Sequence, residues 1–264
     1  MYGLAGTPEP CHTALEAAPA SDEEEYMKAN VARALACLLA VAVAPLPVLA
    51  QSNPPAQEQS APLFAPEQLD QLLAPIALYP DQLLGQILMA STYPLEVVQA
   101  DRWLKDSRNA GLTGQQLADA LNTVDWDPSV KALVPFPQLL AMMDQRIDWT
   151  QKLGDAFLAQ QPDVMDSVQR LRQEAREAGN LVSTPQQTVT PAGDIIVIEP
   201  ANPQVVYVPV YNPVVVYGRW RYPAYPPYYF PPPAGFYSGP PVASGVRFSI
   251  GFTVISLLWG WDDC

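Results

Sequence analysis

Two tyrosine–proline steps within residues 72–104 constrain the fold more than any other feature of the chain, because an amphipathic run follows each of them. The steps are Tyr79-Pro80 and Tyr93-Pro94. Proline suits the first turn of a helix, where its missing N–H costs no hydrogen bond, and the residue before it stays extended. Asp81 and Glu96 then lie near the positive ends of the two helix dipoles. The stretch predicts two short helices joined at a corner, each apolar on one side, which need further helices to cover them.

Further helix signals extend over residues 66–180, which predict a small α-helical domain with enough apolar side chains for a core of its own. The four residues from Thr113 fit a capping box, and Asp127, which precedes a proline, fits an N-cap. A last helix is expected to begin at Pro162 and to stop at Gly179 in a left-handed conformation.

On that last helix Arg170 has an acid four residues away on either side, Asp166 and Glu174. Pairs at this spacing meet on a helix surface and contribute about 0.2–0.5 kcal/mol each. We therefore expect two exposed ion pairs that support the helix and do not form a site.

Short β runs replace the helical stripes in residues 184–218, which predict a β-hairpin or ribbon. Residues 187–190 and 195–199 are the two arms of the hairpin, with Pro and Gly in the turn between them. The sequence pattern of residues 202–207 is repeated in residues 212–217. Both copies begin with Asn-Pro and predict edge-type strands.

Proline and aromatic residues dominate residues 219–243, which predict a largely disordered, polyproline-like arm without a core of its own. Exposed aromatic rings on a stiff backbone stack on sugar faces or dock on a partner groove. The candidate binding surface is therefore Trp220, Tyr222, Tyr225, Tyr228, Tyr229 and Phe230. A plain extended spacer is the alternative interpretation of this arm.

Residues 244–264 form an apolar C-terminal segment that admits two interpretations. From Val246 to Val254 large apolar residues alternate with small or polar ones, which favours a strand. Three small residues at a spacing of four also form a seam typical of packed helices. We expect a strand, and membrane contact through residues 246–261 stays open.

The N-terminal part of the chain predicts export. Residues 27–50 carry the basic start, apolar middle and small-residue end of a secretory signal peptide. Its apolar run is shorter than the ~20 residues that span a bilayer. Residues 1–26 are acidic and lack periodicity, and we interpret them as an upstream over-extension of the reading frame. Residues 51–65 are interpreted as a flexible leader, and cleavage is expected after Ala50.

Cleavage there would remove the only histidine, His12, and leave one cysteine, Cys264. Such a chain has no internal disulfide, no His/Cys zinc site and no imidazole base, so neither a cofactor nor a metal site is expected. The acidic balance, without a cluster of Lys and Arg, argues against a nucleic-acid partner.

Asp125 and Asp127, which flank a tryptophan, are the most enzyme-like feature, since glycan hydrolases use paired carboxylates. Residues two apart point away from each other, and Asp127 is already expected to cap a helix. Ser129 and Lys131 would resemble a nucleophile and its base only if the lysine were buried. We expect structural roles for the two acids and a solvated lysine, and we assign no catalytic residue.

Two other sets of residues suggest sites less strongly. Tyr79 and Tyr93 are expected to pack at the helix entries, although they could line a pocket. Asp262 and Asp263 beside the terminal cysteine are expected to be solvated and not to bind a metal.

Several long and unusual strings resemble one bacterial family, domain of unknown function 3300. They are APIALYPDQLLGQILMASTYPLEVVQADRWL, QQPDVMDSVQRLRQEAREAGNL, IIVIEPANPQVVYVPVYNPVVVYG and a final WGW. The resemblance covers residues 66–261. It implies an exported bacterial protein without an assigned activity, so it supplies no catalytic residue.

Together these features predict a mainly α fold: a small α-helical domain, then a short β-hairpin or ribbon, then a Pro/Tyr-rich, largely disordered tail. We expect a non-catalytic protein of the periplasm or cell envelope, whose arm contacts wall glycan, membrane or a protein partner. The alternative is an exported hydrolase that acts on envelope glycans through carboxylates alone.

Overall fold

The computed structural model describes residues 63–232, 236 and 245–254, so the signal peptide and leader predicted for residues 1–62 lie outside the described residues. The helices come first: α1 Pro66–Leu73, α2 Asp81–Ala90, α3 Pro94–Lys105, α4 Gly114–Leu121, α5 Pro128–Leu133, α6 Pro137–Gln145 and α7 Ile147–Glu177. After them come β1 Gln187–Ala192, β2 Ile195–Pro200, β3 Val205–Val206, β4 Pro209–Val210, α8 Pro213–Val216, β5 Arg247–Phe248 and β6 Phe252–Thr253. The mainly α prediction, with a small hairpin after the helices, is confirmed.

Proline residues mark the helix starts as the sequence predicts. Pro94 and Pro128 occupy the first turn of α3 and α5, and Pro80 directly precedes α2. Asp127 is the N-cap of α5, where its carboxylate accepts a hydrogen bond from the Ser129 amide at 2.9 Å. The cap predicted at Asp127 is therefore confirmed.

The capping box predicted at Thr113 is wrong. Thr113 does precede α4, but its side chain makes no capping hydrogen bond. Gly114 begins the helix with a left-handed φ of 53°. This conformation does not hold the Thr113 hydroxyl over the amides of the first turn.

The two exposed ion pairs predicted for Arg170 are also wrong. Its guanidinium binds the Asp70 carboxylate of α1 at 2.6 Å, a partner one hundred residues away in the chain. Asp70 is only 1% exposed, and a buried carboxylate needs a cation and hydrogen-bond donors. Ser167 supplies a second donor to the same oxygen. Arg170 therefore joins α7 to α1.

The helix predicted to begin at Pro162 continues from the preceding one across a kink, and the two form α7. The kink is at Gln160, which has the non-helical angles φ −143° and ψ 44°. The Gln160 side chain pairs with the Phe64 backbone, accepting from its N–H at 2.7 Å and donating to its carbonyl at 3.1 Å. The stop predicted at Gly179 is confirmed by a φ of 75°.

A close approach of backbones fixes α7 against the end of α2. A Cβ added to Gly154 would lie 2.3 Å from the Ser91 carbonyl oxygen. Real Cβ atoms do not approach backbone oxygen this closely, so only glycine permits this contact.

The predicted hairpin is present as an antiparallel pair, with Val189 of β1 opposite Ile198 of β2. Gly193 in the turn has a φ of 65°, which favours glycine. Ile196 and Ile198 of β2 are buried, and β2 packs on α2 and α7. The hairpin therefore covers part of the helical core.

The internal repeat gives the same turn twice but different continuations. The Asn202 side chain accepts a hydrogen bond from the Gln204 amide at 2.9 Å, and Asn212 accepts from the Val214 amide at 3.1 Å. The first copy then forms β3, as predicted. The second forms helix α8, because the Val216 amide bonds back to the Asn212 carbonyl at 2.9 Å and closes a helical turn. The strand predicted for the second copy is wrong.

The strand expected in the C-terminal segment is confirmed for its described part. Here β5 pairs antiparallel with β4, and β6 with β3. Between them the Ser249 amide donates to the Val208 carbonyl at 2.9 Å, and the Ser249 hydroxyl accepts from the Val208 amide. The described helices include none long and apolar enough to cross a bilayer. Membrane contact through residues 246–261 stays a prediction.

Arg172 of α7 joins the helices to the hairpin. Its side chain is 1% exposed and donates to the carbonyl oxygens of Ala77 at 2.8 Å, Tyr79 at 3.0 Å and Ile196 at 2.7 Å. It also forms an ion pair with Asp81. The guanidinium thus holds α7, the loop before α2 and strand β2 at one point.

Helices and strands share one apolar core. The cluster of buried residues runs from Leu69 in α1 through Ile198 in the hairpin to Val254. All described residues belong to one compact unit. The boundaries at residues 180, 218 and 243 stay predictions.

Candidate functional site

We call residues 219–232 the strap, because this part of the predicted arm lies along the helices without forming a helix or strand. The Gln71 side chain of α1 donates to the Pro226 carbonyl at 2.6 Å, and the Tyr228 amide donates to the Gln71 carbonyl at 3.3 Å. Arg221 adds an ion pair of 2.7 Å with Glu174 of α7. The described strap is therefore attached at several points.

The six aromatic residues of the candidate surface do not share one environment. Trp220 donates its indole N–H to the Tyr225 carbonyl at 2.8 Å and packs edge-on against Tyr222, with ring centroids 6.4 Å apart. Tyr228 packs on the core with Trp220 and Phe230. Tyr229 is more exposed than the other five rings, at 43%. Tyr229 is thus the ring of this set that is best placed to meet a ligand.

Phe230 fixes the end of the strap on the helices. Its ring meets Trp149 of α7 edge-on with centroids 5.2 Å apart, and the Arg146 guanidinium lies 5.5 Å from the ring centroid. Trp149 is itself held by an indole hydrogen bond of 2.9 Å to the Leu72 carbonyl. Such edge-on and cation–π contacts contribute about 0.5–1.5 kcal/mol each.

A narrow apolar pocket lies beside Tyr229, between α6, the segment around β4 and the strap. We call it the Tyr229 pocket. Its cavity volume is about 70 Å³, which is small beside the roughly 300 Å³ or more of typical ligand pockets. Its walls include Leu139, Met142, Pro209, Phe230 and Pro232. A small apolar group fits here better than a whole sugar ring or a large cofactor.

Gln138, at the start of α6, provides the unusual polar atom of this pocket. Its side-chain carbonyl oxygen is buried, and no donor among the described residues bonds to it. Gln138 also lines two wider clefts that adjoin the pocket, of about 480 and 540 Å³. Buried acceptors without a donor are costly. Gln138 therefore combines a place in the pocket wall with an acceptor that has no donor. Sequence reasoning missed it, because a lone glutamine near a helix start carries no signal.

Asp101 of α3 and Asp144 of α6 form a carboxyl pair that the sequence did not indicate, and Asp101 lines the cleft of about 480 Å³. Asp101 is buried and forms an ion pair with Lys105 one turn along the helix. Burial raises the pKa of Asp144 above its ordinary value, and the hydrogen bond and negative charge of Asp101 raise it further. The two acids come from different helices, so spacing in the sequence could not reveal the pair.

Within the Asp125–Asp127 motif, Asp127 has the structural role expected of it. The Asp127 carboxylate caps α5 and accepts from Ser129, and the Asp127 amide donates to Glu96 at 2.6 Å. Tyr93 also contacts this carboxylate, whose charge and hydrogen bond raise the pKa of the Tyr93 hydroxyl. The Ser129 hydroxyl is thus bonded to an acid and not to Lys131.

Three buried tyrosines form a second unpredicted cluster, under the strap. The Tyr217 hydroxyl donates to the Ala74 carbonyl at 2.7 Å and lies 3.3 Å from the Tyr211 hydroxyl, which accepts from the Leu78 amide at 3.3 Å. Burial raises the pKa of Tyr79, Tyr211 and Tyr217 above the ordinary value. Tyr79 lines the Tyr229 pocket, a location that the sequence left as an alternative.

No cluster of three metal-ligating side chains occurs among the described residues. Asp262, Asp263 and Cys264, which the sequence suggested only weakly, lie outside them.

Comparison with known proteins places the chain in a family. Residues 65–263 match the family described as protein of unknown function (DUF3300). The chain is similar to the uncharacterized protein YacH of Escherichia coli (strain K12), with 46% identity over 254 residues. That match covers 83% of this chain and 40% of the relative, so the chain spans less than half of its length. No solved structure matches. The chain belongs to the DUF3300 family of proteins of unknown function.

Proposed function

We propose that this is an exported bacterial envelope protein without a catalytic role, which attaches to the envelope through the Tyr229 pocket. The exposed Tyr229 ring beside a narrow apolar pocket is the observation that carries this proposal. The ring belongs to a strap that is fixed on both sides of it, at Tyr228 and at Phe230. Little conformational freedom would therefore be lost when a ligand covers it.

The chemistry of the described side chains supports binding more than catalysis. Asp127 and Ser129, the enzyme-like residues of the sequence, are hydrogen-bonded to each other at the start of a helix. The buried Arg172 is occupied by backbone carbonyls. Groups committed to such structural contacts are poor nucleophiles or bases.

Export is supported by the signal-like pattern of residues 27–50. Mass spectrometry of the mature N-terminus in the native host tests this part of the proposal. We expect a chain that starts at Gln51. A mature chain that retains Lys28 would contradict export by this signal.

Attachment is tested with Tyr229→Ser, since deletion of the whole strap would also remove the core contacts of Tyr228 and Phe230. Tyr93→Ser is the matched control, because Tyr93 is 39% exposed, close to the 43% of Tyr229. We expect the wild type and Tyr93→Ser to sediment with envelopes, and Tyr229→Ser to move to the soluble fraction. Equal sedimentation of all three would contradict attachment through this pocket.

An exported hydrolase that uses carboxylates alone is the second candidate function. The Asp101–Asp144 pair favours it, since the raised pKa of Asp144, which is hydrogen-bonded to Asp101, suits a general acid beside a second carboxyl group. Asp144→Asn in a cell-wall turnover assay tests it, with Asp125→Asn as control. Loss of turnover in Asp144→Asn alone, with its helical circular dichroism intact, would favour the enzyme over the binding protein.

A further inference from the structure

We propose that the Tyr229 pocket is a subsite for the acetamido group of an N-acetylhexosamine residue in a glycan chain. This assignment rests on the envelope-binding function proposed above and names the chemistry of its ligand. Three features carry it: the Gln138 oxygen, the narrow apolar walls and the exposed Tyr229 ring.

The Gln138 oxygen selects for a hydrogen-bond donor. It belongs to a residue that lines the pocket and both neighbouring clefts, and no donor among the described residues bonds to it. An incoming amide N–H or hydroxyl would satisfy it, whereas a carboxylate or phosphate would be repelled. The ligand group is therefore neutral and carries a donor.

The walls of the pocket select for a small apolar group. Leu139, Met142, Val208 and Pro209 surround a volume of about 70 Å³. An acetamido group combines an N–H donor with a methyl group of this scale. The N–H would donate to Gln138 while the methyl group contacts Leu139 and Met142.

Tyr229 supplies a surface for the sugar ring itself. Its side chain is exposed at the edge of the pocket, and Pro231 and Pro232, which line the same pocket, restrict the backbone that follows it. A tyrosine ring stacks against apolar faces and bears a hydroxyl group that stays in water. A pyranose ring has such an apolar face, and its acetamido substituent can then point inward.

A proline-rich peptide fits this pocket less well, although aromatic and proline residues often line grooves for such peptides. Proline has no N–H, so a polyproline strand has few donors for the buried Gln138 oxygen. Sugars carry donors on every ring. This difference decides between the two ligand classes.

The test measures binding of the β-1,4-linked tetrasaccharide of N-acetylglucosamine to the full chain by isothermal titration calorimetry. The corresponding glucose tetrasaccharide is the comparison ligand, because it differs only in having a hydroxyl group in place of each acetamido group. Gln138→Leu removes the acceptor, Tyr229→Ser removes the ring, and Gln161→Leu is the control, since Gln161 is an exposed glutamine of α7 outside the pocket. Circular dichroism checks that each variant is folded.

We expect saturable binding of the N-acetylated sugar and at least tenfold weaker binding of the glucose tetrasaccharide. Gln138→Leu should weaken binding about 3- to 10-fold, the range of one hydrogen bond. Tyr229→Ser should weaken it by a similar factor of about 3 to 10, the range of one stacked ring. Gln161→Leu should bind as the wild type does.

Equal binding of the two tetrasaccharides, or wild-type binding by a folded Gln138→Leu variant, would overturn the subsite. No saturable binding by the wild type would also overturn it. If the protein still sedimented with envelopes in a Tyr229-dependent manner, the attachment function would survive and its partner would not be this sugar. If the wild-type protein neither bound the sugar nor sedimented with envelopes, the proposed attachment function would be contradicted as well.

Discussion

Replacement of the buried Arg172 by methionine should lower the free energy of unfolding by about 4 kcal/mol. The change leaves three buried carbonyl oxygens, those of Ala77, Tyr79 and Ile196, without the donor that each now has. Loss of a charged donor costs about 1.5–3 kcal/mol per bond in isolation. Relaxation and water entry reduce the sum, and breaking a buried charged contact typically costs 3–5 kcal/mol.

Hydrophobic replacement of a buried ion pair is often neutral or stabilising, but this case differs. That outcome requires both partners to be replaced, whereas the partners of Arg172 are mainly backbone carbonyls, which no substitution removes. The Asp81 carboxylate is 42% exposed, so water screens its share of the loss. The carbonyl contacts therefore dominate the cost.

Urea unfolding followed by far-ultraviolet circular dichroism measures this cost. Arg176→Met is the matched control, because Arg176 lies one turn further along α7 and is exposed. Its effect should stay within about 0.5 kcal/mol. For a chain of this size the Arg172 variant should also melt roughly 8–16 °C lower. Equal midpoints for the two variants would refute the role of Arg172 as the link between helices and hairpin.

Three further substitutions test other parts of the fold. Gly154→Ala should lower the free energy of unfolding in urea by about 1–3 kcal/mol, because the added Cβ would meet the Ser91 backbone. Gly85→Ala should be stabilising, since a Cβ there has nothing within 4 Å. The reverse order of stability would contradict the packing. Leu84→Ala should lower the free energy of unfolding by about 2–5 kcal/mol, because Leu84 is fully buried. A decrease of less than about 1 kcal/mol would contradict a core position for Leu84. Asp144→Asn should be more stable than the wild type at neutral pH. The free energy of unfolding of the wild type should rise relative to that of Asp144→Asn as the pH falls from the raised pKa of Asp144 towards the ordinary value, because in that range only the folded state binds the proton. A difference in stability that stays constant from about pH 7 to pH 4 would contradict this.

Local signals predicted much of the helical part of the fold. A proline at a helix start, the Asp127 cap and the glycines at 179 and 193 each act within a few residues. Such features can be read from a short window of sequence. The order of helices and hairpin followed from them.

Contacts between distant residues could not be predicted in this way. Nearby acids indicated local partners for Arg170, but the buried Asp70 binds it from a different helix. The two Asn-Pro repeats share a turn, yet one continues as β3, which pairs with the distant β6, and the other as the local helical turn of α8. Long-range pairing also determines the strands β5 and β6.

The candidate site was predicted in part. Composition drew attention to the aromatic residues of the strap, including Tyr229, but not to the difference in their exposure. Proline and aromatic content alone resembles a free arm, and the contacts with Gln71 and Trp149 depend on helices far away in the chain. Gln138 and the Asp101–Asp144 pair gave no sequence signal, since their importance comes from burial and from neighbours on other elements.

Hydrogen exchange of two indole N–H groups, followed by nuclear magnetic resonance, tests the central claim that the strap is fixed on the helices beside Tyr229. The Trp149 indole, bonded to the Leu72 carbonyl inside the core, is the internal reference. The Trp220 indole, bonded to the Tyr225 carbonyl, reports on the strap. We predict that the Trp220 indole N–H exchanges far more slowly than that of a free indole. Phe230→Ala removes the ring contact with Trp149, and we predict that it accelerates exchange at Trp220 more than exchange at Trp149. Exchange of the Trp220 indole at the rate of an unfolded chain would contradict the fixed strap and the pocket that depends on it.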